Sequence, residues 1–483
     1  PDFAQVESDE PQVTVNQRFE VFFPEKRPFF LENANSFRTP INLVFTRRIA
    51  DPQFGVRLTG KVGPYAIGAL LADDEAPGKS ALPTDPGFRQ RARFGIVRLT
   101  RDIFKQSSIG MIYTDRAFAG SFNRVGGMDA RFKLGQNWVA TAQAVTSSTR
   151  DLPGNRLAGP AYSANLNRSG RQFNYNLSYT DRSPGFRTLP GFVPRSDIRR
   201  TEQFVGYRFR PEGKYLVSWG PRVFYERIWD HNGTRLGWFS GTNINWEFKP
   251  DTFFGFFYGT GHERLRPEDF SGLVQPLDVA GKVRSVFGGS SYIRQVNFFA
   301  EYSRGTGINY VPPAGQLPVR ADETSSFVNI TLRPLTPLRI DNTYIFKRLT
   351  DPVQREANIF ANHIFRQKWN WQFTRELSLR VILQYNSVLA NPGLTALQTT
   401  KSLNADFLIT YLLHPGTALY VGYNSNAQNL APDLFVCQGG PPAVTRPGCP
   451  SLGLGESALL RPRSRFINDA KQFFVKFSYL FRF

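Results

Sequence analysis

The 483-residue sequence has little of what thiol, metal or acid–base chemistry is built from: two Cys, two Met and four His. Two cysteines with no His close by fall short of the four ligands of a structural zinc site. No serine nucleophile elbow, His-Glu-x-x-His metal site or phosphate loop is present. His231 lies in the turn Asp230-His231-Asn232-Gly233, His262 ends a strand, His363 falls on an apolar track and His414 precedes Pro415. Asp73-Asp74-Glu75 offers oxygen ligands of the kind Ca²⁺ takes, but reads first as solvated charge. No catalytic residue, metal or cofactor is expected, and the chain is not read as an enzyme. Nor is there a run of the ~20 apolar residues that a membrane-crossing helix needs, which excludes helical spans. Acidic residues are short as well: 39 Asp and Glu stand against 59 Lys and Arg, a net charge of +20. That excess invites a nucleic-acid reading. The basic residues are spread along many segments and no recognition motif accompanies them, so nucleic acid is not an expected partner.

What is abundant is aromatic. Phe and Tyr number 44 and 18, and aromatics make up 14% of the chain, while mean hydropathy is only −0.33. Alternation explains both facts at once. Counting back from the end, Phe483, Phe481, Tyr479, Phe477, Val475 and Phe473 form an unbroken apolar track, opposed by Arg482, Leu480, Ser478, Lys476 and Phe474. A period of two is a β-strand with one greasy and one mostly polar face. A soluble sheet alternates too, but soluble chains tend to finish in frayed polar residues. The track Phe477, Tyr479, Phe481, Phe483 resembles the C-terminal insertion signal of outer-membrane barrels, which implies recognition by the barrel-assembly machinery. The same pattern recurs upstream, as in Val56, Leu58 and Val62 against Arg57, Thr59 and Lys61, or Leu403, Ala405, Phe407, Ile409 and Tyr411 against Asn404, Asp406 and Thr410.

Connection lengths follow a second rhythm. Tight turns near 61–65, 102–107, 134–138, 168–172, 210–214, 248–252, 292–295, 333–337, 373–377 and 412–417 alternate with longer loops, among them 49–54, 74–90, 182–200, 264–280 and 428–465. Short turns on one side and long loops on the other are the asymmetry of bacterial outer-membrane barrels. The predicted fold is an all-β, transmembrane, antiparallel up-and-down β-barrel of about 22 strands, in contact with outer-membrane lipid and lipopolysaccharide. An even number would leave both termini in the periplasm. A lumen of that size is too wide for its own side chains to fill, and barrels of this size carry a plug.

Residues 1–40 do not alternate, and two prolines with interleaved charges forbid a long regular element. They are expected to form a plug or lining segment, with Phe22, Phe23, Lys26, Arg27, Phe29, Phe30 and Glu32 as its packing and pairing residues, and residues 41–483 to form the barrel. Cys437 and Cys449 share the longest loop and, in an oxidising compartment, read as a disulfide closing about a dozen residues, contributing ~3 kcal/mol. The sequence beginning at Pro1 shows no charged and apolar leader, so any export signal is expected to have been removed or omitted.

The runs Lys26-Arg27-Pro28-Phe29-Phe30-Leu31-Glu32 and Leu58-Thr59-Gly60-Lys61 resemble the opening of an uncharacterised family of bacterial outer-membrane proteins. In that family a sandwich similar to family-nine carbohydrate-binding modules precedes a membrane-associated β-domain. The resemblance implies an outer-membrane barrel without an established activity, the chain beginning where the β-domain would begin.

If the apolar tracks face lipid, Arg57, Lys61, Arg131, Lys133, Arg208, Arg210, Arg222, Arg235, Arg333, Arg339 and Arg380 face the lumen. Rings of Arg and Lys favour anions. Inward acids such as Asp129, Glu226, Glu247, Glu301, Asp341 and Asp406, or the plug's Glu20, Glu25 and Glu32, are expected to pair with many of them. The expected function is a porin-like channel for small hydrophilic solutes, anionic or saccharide among them, partly occluded by residues 1–40. The alternative is a closed barrel serving as a membrane anchor or as part of an envelope assembly with periplasmic or surface protein partners.

Overall fold

The computed structural model describes residues 8–270, 272–354, 357–414, 417–430, 436–438, 457–459 and 466–479. Twenty-one long strands follow one another in antiparallel, up-and-down order, and no helix among the described residues is long and apolar enough to cross a membrane. The chain divides into two compact units.

The first unit holds Phe19–Phe209 and Gly220–Thr242 together with the start of the chain. Its strands are β1 (Gly55–Val62), β2 (Tyr65–Asp74), β3 (Ala92–Ile103), β4 (Ser107–Phe118), β5 (Ser121–Leu134), β6 (Trp138–Arg150), β7 (Arg156–Ser169), β8 (Phe173–Arg182) and β9 (Ile198–Tyr207), with most of β10 (Leu216–Trp229) and the start of β11 (Arg235–Phe248). Two-residue connections such as Gly63-Pro64 are possible because Gly63 takes φ +57°, a left-handed conformation that L side chains avoid. Residues directly opposite in neighbouring strands share a face. Ile67, Leu99, Met111 and Met128 stand in such a row across β2–β5 and are 41–55% exposed. Contiguous exposed apolar rows of this kind mark a surface that meets lipid or a partner.

On the opposite face of the same strands, Leu70, Phe94 and Ile96 are buried under the N-terminal segment. One core there joins Phe30, Phe37 and Ile49 to Leu70, Ala72, Ala92, Phe94, Ile96 and Phe118. A second joins Ile41 and Leu43 to Ile112, Val125, Val145, Ala161 and Phe186. At ~25 cal/mol per Å² of apolar area removed from water, each fully buried Leu, Ile or Phe contributes about 1.5–3 kcal/mol.

The second unit holds Glu10–Arg18, Arg210–Trp219 and the chain from Asn243 onward. It takes in the end of β11, then β12 (Thr252–Leu265), β13 (Leu277–Ser290), β14 (Val296–Asn309), β15 (Val319–Leu335), β16 (Leu338–Thr350), β17 (Asn358–Gln372), β18 (Leu377–Ala390), β19 (Thr400–His414) and β20 (Thr417–Leu430). A small hairpin of β21 (Val436–Gln438) and β22 (Ser457–Leu459) and the last long strand β23 (Ile467–Ser478) follow. Phe256, Val286 and Tyr302 form an exposed row here. On β23, Phe473, Val475 and Phe477 oppose Tyr423, Val421 and Leu419 and are 60–68% exposed.

All ten expected tight turns fall between strands. Twenty-one long strands occur among the described residues, close to the expected number of about 22; residues 41–48, expected to open the strand array, instead pack on the sheet and end in a 3-10 turn at Thr46–Arg48. The array begins at Gly55. No pairing that closes the sheet on itself occurs among the described residues. Phe481, Phe483 and Cys449 lie outside the described residues, so the expected Cys437–Cys449 bridge has one partner there.

Candidate functional site

The densest polar construction of the first unit lies where the N-terminal segment meets the sheet. Pro28 at the first helical position favours the single turn α1 (Pro28–Leu31), which buries Phe30. Glu25 holds the turn's entrance. One carboxylate oxygen accepts the backbone N–H groups of Lys26 and Arg27 at 3.0 and 2.9 Å and the Arg27 Nε–H at 2.8 Å. The other accepts Arg27 Nη2–H at 2.6 Å and the Thr46 hydroxyl at 2.7 Å. Burial alone would raise the Glu25 pKa, but the bonds from Arg27 and Thr46, with the Arg27 charge, outweigh it and hold the carboxyl at about 2. Arg27 also donates to the Ile49 and Thr46 carbonyls at 2.6 and 2.8 Å and lies 4.3 Å over the Phe30 ring. Residues 25–27 are thereby clamped to residues 46–49.

Further bonds tie the segment to the sheet and to the connection between β8 and β9. The Ile41 N–H donates to Gln143 Oε1 at 2.6 Å, the Phe45 N–H to the Pro190 carbonyl at 2.8 Å, and the Phe192 N–H to the Asn42 carbonyl at 2.9 Å. Phe22, Phe45 and Phe192 meet with ring centroids 5.0–5.2 Å apart. Phe23 lies under Arg47, and Lys26 donates to the Ser8 carbonyl. Phe30 is 4% exposed, whereas Phe22, expected to be buried, remains 44% exposed.

In the second unit Glu10–Arg18 forms a strap. Asn16, at φ +54°, donates to the Ile308 carbonyl and accepts the Tyr310 N–H, both at 2.8 Å. Arg18 bridges Glu263 and Asp269. The Tyr310 phenol donates to Glu263 at 2.9 Å, and burial, reinforced by that carboxylate, raises its pKa strongly.

Of the eleven basic residues singled out, Arg57 is drawn under the segment, bonded to Glu32 at 2.8 Å and 5.3 Å from the Phe29 ring, its side chain 8% exposed. Lys61 pairs with Asp102 at 2.5 Å, and Arg339 with Asp341 at 2.9 Å. Arg131 and Lys133 donate to the carbonyls of Gln106 and Gln136. Arg222, Arg235, Arg333 and Arg380 sit on strands; Arg222 adjoins the exposed Val223 and so takes the opposite face, whereas Arg235 adjoins the buried Leu236. Arg208 and Arg210 lie beyond the end of β9, in the connection to β10. Of the expected acids, Asp129 pairs with Arg98, which the sequence reading passed over; both are about nine-tenths buried, joined by two N–H bonds of 2.6 and 2.8 Å. Glu226 pairs with Arg200, and Glu247 accepts from Ser218. His231 sits between Asp181 and Asp197 at 2.8 and 2.9 Å, a link between β8 and two loops that turn chemistry alone did not suggest. No group of three or more His, Cys, Asp or Glu able to hold a metal occurs among the described residues.

The fold and site define a strand-rich protein whose antiparallel sheet has one bare apolar face and one wet face carrying the N-terminal segment. Residues 1–58, which include that segment and end within β1, match the family model of a domain of unknown function, DUF5916. None of the curated proteins matches the sequence. Among solved structures, the chain is similar to the ferric yersiniabactin uptake receptor FyuA from Yersinia pestis, at 11% identity and a TM-score of 0.43 over 78% of this chain and 66% of that one. It therefore spans just under two thirds of that receptor's length. The copper transporter OprC is similar at 9% identity and a TM-score of 0.49, over 77% of this chain and 71% of that one. OccK8 (OprE) of Pseudomonas aeruginosa is similar at 10% identity and a TM-score of 0.33, over 70% of this chain and 94% of that one.

Proposed function

We propose that the chain is an outer-membrane β-barrel that passes small hydrophilic solutes, with a preference for anions, through a lumen narrowed by its N-terminal segment. One observation carries the reading: the rows of Phe, Tyr, Met and Leu on one sheet face lie bare, while the other face is polar, rich in Arg and covered in part by residues 25–49. Apolar rows of that extent are stable against lipid and costly against water. The charge balance of the whole chain, +20, supports the anion preference.

Planar-bilayer recording tests it. Purified protein is expected to give discrete conductance steps whose reversal potential in a KCl gradient lies on the chloride side. Exchanging Arg222, Arg339 and Arg380 together for Gln should move it toward potassium. Silence in both the native chain and a variant with a loosened segment would remove the channel. The packed cores under the segment favour the second reading, a closed barrel acting as a membrane anchor for periplasmic or surface partners, and that reading would then stand.

A further inference from the structure

The N-terminal segment, β4 and the connection between β8 and β9 line a half-open pocket of about 340 Å³ whose lining includes Arg48, Arg116 and Arg187 and no carboxylate. Thr188, Ser196 and a short apolar wall of Leu189 and Val193 complete it. The three arginines differ in how far their charge is already met. Arg48 donates two N–H groups to Glu20 and a third to the Gly191 carbonyl. Arg187 donates to the carbonyls of Pro184 and Phe186 at 2.8 and 2.7 Å, which fixes its position, and it makes no ion pair among the described residues. Arg116 lies 5.6 and 5.7 Å from the Phe94 and Phe118 rings, and among the described residues its guanidinium has no hydrogen bond or ion pair. It is close enough to Arg48 to be repelled by it. Asp74 acts on Arg116 electrostatically, but Asp74 Oδ1 already accepts the N–H groups of Asp51 and Ala76. The hydroxyl of Thr188, a residue 9% exposed, likewise has no hydrogen-bond partner among the described residues.

Two guanidinium groups without an ion pair among the described residues, one of them eased only at a distance by Asp74, and an idle buried hydroxyl around one small space suit an anionic occupant. The fork of Arg matches two oxygens of a carboxylate or phosphate. The volume lies at the low end of the ~300–1,000 Å³ typical of ligand pockets, room for one small molecule and not for a polymer. We infer that this cavity binds a small organic oxyanion carrying two or more negative charges, a phosphate monoester or a di- or tricarboxylate. Arg116 and Arg187 grip the oxygens, the Thr188 hydroxyl takes a further bond, and Leu189 and Val193 cover the carbon part. The site needs only the first unit's packing and holds whether or not the protein conducts.

Titration calorimetry of the full chain in detergent tests it, with citrate and inorganic phosphate as probes and glucose as the neutral control. Citrate is expected to bind tighter than phosphate, more weakly as salt rises, and glucose to give no heat. Arg116→Gln should weaken citrate at least tenfold, Arg116→Lys less than that, and Thr188→Val severalfold. Arg124→Gln, on the opposite face of β5, should leave the isotherm unchanged. Retained heat-modifiable migration on gels identifies folded variants, and Arg116→Lys keeps the charge should the Gln variant fail to fold. Absent citrate and phosphate heats, equal affinity in the native chain and a folded Arg116 variant, or displacement of citrate by phosphatidylglycerol added to the micelles would overturn the assignment to a soluble ligand. Binding by a chain that shows no conductance would leave this site standing and dispose of the channel alone.

Discussion

Phe30→Ala should release the N-terminal segment without dismantling the strands beneath it. Phe30 is 4% exposed, packs in the core formed with Leu70, Phe94 and Ile96, and carries Arg27 over its ring at 4.3 Å. Truncating a buried Phe costs about 3–5 kcal/mol, the transfer term plus the cavity it leaves. The ladder bonds of β2 and β3 do not involve residue 30, so the cost falls on docking of the segment. At 1.4 kcal/mol per factor of ten, a loss of about 3 kcal/mol multiplies the undocked population by on the order of 100. Limited trypsin digestion of protein in detergent reads this directly, because cleavage of a transiently open segment follows its open population. Cutting after Arg38 and Arg47 should accelerate by about that factor while the strand array stays resistant. A wedge from the other side provides the control. A Cβ at Gly68 on β2 would stand 3.1 and 3.2 Å from two Phe37 ring atoms and 3.3 Å from the Ser36 Cβ, so Gly68→Leu should force the segment off although none of its own atoms has changed. Digestion of both variants at the native rate would refute docking through this core.

Two further outcomes follow from the ion pairs. The Glu25 carboxyl is held at about 2 against an ordinary 4.5, so its stabilisation is complete above about pH 4.5 and is lost as pH falls through 2. It amounts to about 2 kcal/mol once solvent screening is allowed for. Pepsin digestion of residues 19–54 should therefore rise steeply between pH 4 and 2 in the native chain, and Glu25→Gln should flatten that rise and raise cleavage at neutral pH. Asp129→Asn leaves the buried Arg98 guanidinium without its counter-charge and should cost about 3 kcal/mol in denaturant unfolding, whereas exchanging both residues for apolar ones of similar size should cost much less.

The strands were legible because one face of each meets a single environment, and a period of two registers that wherever the other face is wet. Where the N-terminal segment covers the second face, the signal fails for the same physical reason. Leu70, Phe94 and Ile96 are apolar because they pack against Phe30, Phe37 and Ile49, so β3 reads as apolar on both sides and its alternation blurs. The stretch 281–293 blurs for another reason, since Gly281, Gly288 and Gly289 carry no side chain to mark a face. Residues 41–48 alternate well enough to pass for a strand, but Ile41 and Leu43 spend their apolar side chains on the core around Phe186. The arginine cavity had no local signature at all. Arg48, Arg116 and Arg187 belong to three separate elements, and only the path of the connection between β8 and β9 brings them together.

The bonds of the N-terminal segment also set a timetable. Ile41 finds its acceptor 102 residues later, Arg48 its carbonyl partner 143 residues later, and Asn16 its partner on Ile308 after 292. Contacts so distant along the chain are the slowest to form, since the loop entropy is lost before the contact returns anything. Residues 16–48 can therefore settle only once β6, the connection after β8 and finally β14 are in place, so this segment docks late although it precedes every strand it touches.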